Sequence, residues 1–208
     1  MKIVIIDYGA GNVESVFNAI SAVKTVGEVV ISNRPSEIKS ANHLILPGVS
    51  SFEDCMNGLK SVNGLIEEIR RQVLNEKKPF IGICAGMQVL ASIGYENGEH
   101  QGLGFVNGKV EKINAPNLKI PHIGWNEIMI KPNKHKVLKD IKNDDHFYFA
   151  NSYHFVCQNE NNALAHVEYG SKICAIIAKD NIFGVQFHPE KSGEVGLKLL
   201  KNFLNWRP

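Results

Sequence analysis

Neither sign of charge dominates this chain. Its 23 lysines and arginines face 21 aspartates and glutamates, a net charge of +2, which predicts neither nucleic acid nor a membrane surface as a partner. Cysteine is scarce as well. Cys55, Cys84, Cys157 and Cys174 form no CxxC pair and no zinc-finger spacing, so no metal site is expected, and a reduced, cytoplasmic setting fits best. The N-terminus lacks a long apolar run: only Ile3 to Ile6 precede Asp7, too short for a signal-peptide core or a membrane span. Repeats, low-complexity segments and linkers are also missing. With 208 residues and 44% hydrophobic content, a single domain over residues 1–208 is expected, large enough to bury its own core.

What is present alternates. Ile3 to Ile6 reads as a buried strand, Asp7 to Asn12 as a turn, and Val13, Val16, Phe17, Ile20 and Val23 as the apolar face of a helix. The order suggests a dinucleotide fingerprint, but Glu14 occupies the place of the third glycine and would repel a pyrophosphate. No cofactor is expected. Val29 to Ile31 and His43 to Leu46 read as strands around a helical turn at Pro35 to Ser40, and Leu65 to Leu74 as one long amphipathic helix. After Gly94 short β-like runs take over, among them Phe105 to Ile113, Glu127 to Ile130, Phe147 to Phe149, Ala163 to Val167, Ile173 to Ala178 and Ile182 to Phe187. The expectation is an α/β fold with a mostly parallel central sheet flanked by helices, and antiparallel strands added in the C-terminal half. Ile120 to Asn126 reads as a loop in which His122 and Trp125 are either exposed for binding or plugs at a sheet edge. A last helix runs from Val195 to Trp206, with Ser192 as its expected N-cap.

Two stretches carry chemistry. Gly82-Ile83-Cys84-Ala85-Gly86 follows the apolar run Phe80 to Ile83 and precedes Met87, Leu90 and Ala91 at helical spacing, the pattern of a nucleophile elbow. It puts the Cys84 sulfur at a strand end beside a helix N-terminus, where a thiolate is favoured. Taken alone, Cys84 is better explained as a small buried hydrophobe in a glycine-rich turn. Far downstream, His188-Pro189-Glu190 follows an expected strand and places imidazole and carboxylate two residues apart, on one side of an extended chain. A histidine beside a cysteine takes its proton as general base, and a carboxylate on the other ring nitrogen fixes the tautomer. Pro47-Gly48-Val49-Ser50-Ser51 after the third strand offers backbone N–H groups for an oxyanion, or is simply a strand-to-helix turn.

These motifs, with Asp7 to Asn12, Pro121 to Asn126 and Gln186 to Ser192, fall in the order found in class I (triad-type) glutamine amidotransferases, and the chain resembles that family end to end. Within it, the opening Asp-Tyr-Gly, the Gly-Trp-Asn stretch and the Glu-Lys-Ser ending resemble the glutaminase subunits of imidazole glycerol phosphate synthase. The resemblance implies a flavodoxin-like fold and hydrolysis of glutamine to glutamate and ammonia. It makes Cys84 the nucleophile, His188 the base and Glu190 its orienter. It implies Gly48, Val49 and Ala85 as oxyanion donors, the first two after a peptide flip. Gln88 and the backbone at Asn151, Ser152 and Tyr153 would hold the substrate. It implies a (β/α)8-barrel cyclase partner forming a heterodimer, with Trp125, Tyr148 and Lys191 at the interface. Ala85, Ser50 and Asn151 depart from the family's usual residues, a larger apolar one, a glycine and a histidine. The competing readings are a paralogous glutaminase feeding surface-sugar amidation, a pyridoxal phosphate synthase glutaminase, whose Gly-Gly-Glu-Ser loop is absent, and a non-enzymatic cysteine sensor.

Overall fold

Apolar residues at both odd and even positions make a strand that must be covered on two faces, and the first strand shows how this chain does it. In the computed structural model, which describes residues 1–24, 27–132 and 135–208, β1 (Lys2–Ile6) turns Ile3 and Ile5 to one core and Val4 and Ile6 to another. The first core is closed by α1 (Val13–Val23) and the C-terminal helix; the second by α2 (Pro35–Ser40), α3 (Phe52–Ser61) and α4 (Leu65–Arg70). Between them β2 (Glu28–Ser32), β1, β3 (His43–Gly48) and β4 (Phe80–Cys84) run parallel. The short α5 (Ala85–Gln88) leaves β4 directly.

The second half interrupts this winding. The two-residue strands β5 (Ile93–Gly94) and β6 (His100–Gln101) join β7 (Gly108–Lys112) and β11 (Tyr153–Cys157) in a small sheet of order β11-β7-β5-β6. A separate antiparallel ribbon pairs β8 (His122–Glu127) with β10 (His146–Asn151). β9 (Met129–Ile130), β12 (Ala163–Glu168) and β13 (Lys172–Lys179) extend the main sheet antiparallel, and β14 (Ile182–Val185) returns beside β4 in parallel register. The resulting order is β2-β1-β3-β4-β14-β13-β12-β9, the mostly parallel sheet with late antiparallel strands that the sequence predicts. α6 (Gly193–Asn205) closes the chain against α1.

Several local expectations are corrected. The stretch Ile120 to Asn126 is not a loop: His122 onward is β8, whose alternation of buried and exposed residues is disguised by polar and aromatic side chains on both faces. The expected long helix is α only as far as Arg70 and continues as a π-helical turn over Arg71–Asn75. α3 carries a buried stripe at Phe52, Cys55, Met56 and Leu59 and has Gly58 within it. That glycine is required because a Cβ there would meet the Tyr8 carbonyl oxygen at 2.5 Å. Ser192 precedes α6, but its hydroxyl makes no capping bond; it is committed to the site described next. Among the described residues no helix is long and apolar enough to cross a membrane.

Candidate active site

In an open α/β sheet, ligands gather at the carboxyl ends of the strands. Here β3 ends at Gly48, β4 at Cys84, and β14 leads into His188. Gly48 and Cys84 are direct partners in the β3–β4 register. Cys84 has φ 54° and ψ −116°, a backbone state that is costly for a residue with a Cβ and persists only where its surroundings enforce it. Gly86 shows how they do so: a Cβ at that position would collide with the Leu46 carbonyl oxygen, so only glycine lets the elbow lie against β3. The helix after Cys84 has four residues. Its dipole is correspondingly small, and the sulfur's environment is set by side chains instead.

Those side chains are buried. His188 is 3% exposed, and its Nδ1 lies 2.8 Å from Glu190 Oε1. The pair is not aligned along an extended strand, as the sequence reading has it. β14 stops at Val185, and Pro189–Lys191 form a 3₁₀ turn that folds the carboxylate back beneath the ring. Burial pulls the imidazole toward its neutral form, but hydrogen bonds with Cys84 and Glu190 outweigh it and raise His188 to about 10. Gln186, fully buried, points Nε2 at Cys84 Sγ from 3.8 Å and accepts from Gln88 Nε2 at 3.0 Å through Oε1. The sequence reading assigned Gln186 no role, although it sits two residues before His188 on a strand end.

A cavity of about 190 Å³ opens over the sulfur. Cys84, Val49, Ala85, Gln88, Asn151, Ser152 and Tyr153 line it together with Ser50, Ser51, Glu96, Pro121 and Ala150. Val49, Cys84 with Ala85 and Gln88, and Asn151 to Tyr153 therefore converge from three separate stretches, joined by Glu96 and Pro121, whereas Gly48 is not part of the lining. Glu96 was missed; it follows β5, and only the fold brings its carboxylate here, where Oε2 accepts the Phe52 N–H at 2.8 Å. Gln88 spends Nε2 on the Tyr153 carbonyl at 2.9 Å and on Gln186, leaving its Oε1 as the group free to face a ligand. The Val49 amide is turned away from the sulfur and donates to the Ala10 carbonyl at 2.8 Å. In this geometry it is not an oxyanion donor. The loop is braced by Tyr8, whose hydroxyl donates to the Pro47 carbonyl at 2.7 Å, and by Cys55 Sγ on the Ser50 carbonyl at 3.7 Å.

Trp125, Tyr148 and Lys191 lie outside the cavity, with Trp125 and Lys191 each against Tyr148. Trp125 is 56% exposed and meets the Tyr148 ring edge-on with centroids 6.1 Å apart; Lys191 Nζ sits 5.8 Å over the same ring. Ile123, 62% exposed, is on the same outward face of β8. Beneath this patch, the His188 N–H donates to the Tyr148 carbonyl at 2.8 Å. Ser192 Oγ accepts from the Tyr148 N–H at 3.0 Å and donates to the His188 carbonyl at 2.6 Å. A buried sulfur, an imidazole held by a carboxylate and a polar cavity above them are the parts that a nucleophile and its base require.

Comparison with known proteins agrees with this chemistry. A family model described as glutamine amidotransferase class-I matches residues 4–206. The chain is 43% identical to the imidazole glycerol phosphate synthase subunit HisH of Pelagibacter ubique (strain HTCC1062), covering 99% of this chain and 100% of that one. It is 42% identical to the protein of that name from Rhodospirillum rubrum, with complete coverage of both. A solved structure described as a glutamine amidotransferase superposes with a TM-score of 0.73 at 19% identity, covering 97% of each chain. PurLQS from Thermotoga maritima gives the same score and identity over 98% of this chain and 97% of that one, a likeness of fold. The chain belongs to the class I glutamine amidotransferases, and within them to the HisH subunits.

Proposed function

We propose that this protein hydrolyses glutamine to glutamate and ammonia and supplies the ammonia to a partner cyclase subunit that makes imidazole glycerol phosphate in histidine biosynthesis. The observation that carries the chemistry is the buried His188–Glu190 hydrogen bond, with His188 raised by Cys84 and Glu190 and Cys84 standing on a strained elbow under a polar cavity. With the proton already held by His188, whose pKa is raised to about 10, Cys84 Sγ attacks the side-chain amide carbon of glutamine. The same proton then passes to the leaving nitrogen, ammonia departs, and a thioester remains. Water, deprotonated by His188, cleaves the thioester and releases glutamate. Glu190 orients the ring and holds the imidazolium through both steps.

The cavity suits the substrate's other end. Glu96 presents a carboxylate for the α-ammonium group, and the backbone at Ser152 and Tyr153 faces the same space. The oxyanion is met by the Ala85 N–H and, once the Gly48–Val49 peptide turns from Ala10, by the Val49 N–H. A missing donor of this kind costs about 10²–10³ in rate, so the observed loop describes a low-activity state that partner docking relieves. The partner of this reading is a (β/α)8-barrel cyclase seated on Trp125, Tyr148 and Lys191. The names of the relatives, subunits of a synthase, support a hetero-oligomer. The test is ammonia release from glutamine by the full chain with and without the cyclase. Release should rise sharply with the cyclase and disappear in Cys84→Ser; a Cys84→Ser protein that kept partner-stimulated hydrolysis would exclude the mechanism.

A further inference from the structure

His122 has no part in the chemistry above, yet it is among the most constrained polar side chains near it. It is 3% exposed and lies between two aromatic rings, stacked on Tyr169 with centroids 4.0 Å apart and on Phe149 at 4.9 Å. Its tautomer can be read from its neighbour. Asn126 Oδ1 accepts the Glu127 N–H at 2.9 Å, and Asn126 Nδ2 donates to the Glu168 carbonyl at 3.2 Å. The amide orientation is thus fixed, and it is Nδ2 that faces His122 Nε2 at 3.3 Å. Nε2 must accept, so the ring is neutral with its proton on Nδ1. Burial lowers the His122 pKa, which agrees with a neutral ring.

That Nδ1–H is a buried donor with no hydrogen-bond partner among the described residues, and the same is true of one acceptor, Asn151 Oδ1. The two residues are direct partners in the β8–β10 ladder. Side chains at such positions share a face with Cβ atoms about 4.5–5.5 Å apart. Asn151 is 6% exposed, lines the cavity, and spends its Nδ2 on the Tyr153 carbonyl at 2.9 Å. Buried polar atoms in native proteins are nearly always satisfied, and an orphan donor on the cross-strand partner of an orphan acceptor indicates where satisfaction comes from.

We propose that His122 is a positioning residue for the glutamine cavity: its Nδ1–H holds Asn151 Oδ1, and through Asn151 the Ser152–Tyr153 backbone, when glutamine occupies the site. Substrate pressing on the Ser152–Tyr153 backbone supplies the reason for the bond to close. Asn151 is then clamped from both ends of its amide. The inference rests on the glutaminase reading, and it predicts an effect on substrate binding rather than on proton transfer.

The experiment measures glutamine kcat and KM for the full chain with its cyclase partner. His122→Phe keeps the stack and removes the donor; KM should rise about tenfold, the loss of one buried hydrogen bond, with kcat within about twofold. His122→Gln, which restores an N–H, should recover much of the loss. Asn151→Ala should raise KM similarly, and the double variant should be no worse than Asn151→Ala alone, because both remove the same contact. An unchanged KM in His122→Phe, or effects of the two substitutions that multiply, overturns the proposal. Nitrogen NMR of the unmutated chain tests it without any variant. Nδ1 of His122 should carry the proton and should shift when glutamine is added to the complex, and an Nε2-protonated ring overturns the assignment. Absence of glutamine hydrolysis in the unmutated complex overturns the reading beneath; intact hydrolysis with an unmoved His122→Phe overturns only this role.

Discussion

Glu190→Gln isolates what the carboxylate's charge contributes, because a glutamine amide can still accept from His188 Nδ1 in the position that Glu190 Oε1 holds at 2.8 Å. Orientation survives and charge does not. Both side chains are nearly buried, at 4% and 1% exposed, so water screens little of the interaction. A hydrogen bond to a charged group contributes about 1.5–3 kcal/mol, roughly twice a neutral one. The variant therefore loses about half of that, on the order of 1–1.5 kcal/mol of imidazolium stabilisation. At about 1.4 kcal/mol per tenfold, kcat for glutamine falls roughly tenfold. Glu190→Ala, which also frees the ring and leaves a cavity, falls further, by roughly 10²–10³-fold on the 3–5 kcal/mol scale of a broken buried pair. Stability carries an independent signature. The pKa of His188 is raised in the folded state to about 10 from 6.5. The stabilisation this represents is fully present below about pH 6.5, and is lost as pH rises through 10. Urea midpoints of the native protein and Glu190→Gln should be furthest apart near pH 6 and converge toward pH 10. A gap that widens with pH, or a Glu190→Gln enzyme with unaltered kcat, would refute the reasoning.

Two further predictions follow from geometry. Gly86→Ala drives a methyl group into the Leu46 carbonyl; it should cost about 3 kcal/mol or more in chemical denaturation, in the range reserved for core overpacking and strain, and unaltered stability would mean the elbow is not held by this approach. Trp125→Ala removes a ring that is 56% exposed. It should leave the melting curve of the isolated chain within about 0.5 kcal/mol, yet weaken cyclase binding by about 2 kcal/mol or more in calorimetric titration, as an aromatic anchor does.

The parts of the site that were legible in the sequence are those written in consecutive residues. An elbow needs Gly82, Cys84 and Gly86 in register, and His188 reaches its orienter two positions on, so both leave a local signature. The parallel core was legible for the same reason, since strands covered on both faces, such as Leu44 to Leu46 and Phe80 to Ile83, cannot avoid continuous apolar runs. What the sequence obscured depends on distant contacts. Glu96 is one acidic residue among many until β5 and β7 carry it to the cavity. β8 was hidden because its outward face is occupied by Ile123 and Trp125, aromatic and apolar where a solvated strand would be polar. The choice posed for His122 and Trp125 had no single answer, as adjacent strand positions point opposite ways: His122 is buried and Trp125 exposed. The direction of the Val49 amide has no sequence signature, because a peptide plane can turn without changing any residue.

The hydroxyl of Ser192, bridging the Tyr148 amide and the His188 carbonyl, ties the outer patch to the imidazole through main-chain atoms. Tyr148 turns its ring outward to Trp125 and Lys191, while its amide and carbonyl hold Ser192 and the His188 N–H. Every residue but proline carries those two groups, so the side chain at 148 can change without loosening His188, whereas position 192 must keep a hydroxyl. Residues 44 positions apart in the chain are thus joined by a bond that tolerates drift at one end and forbids it at the other.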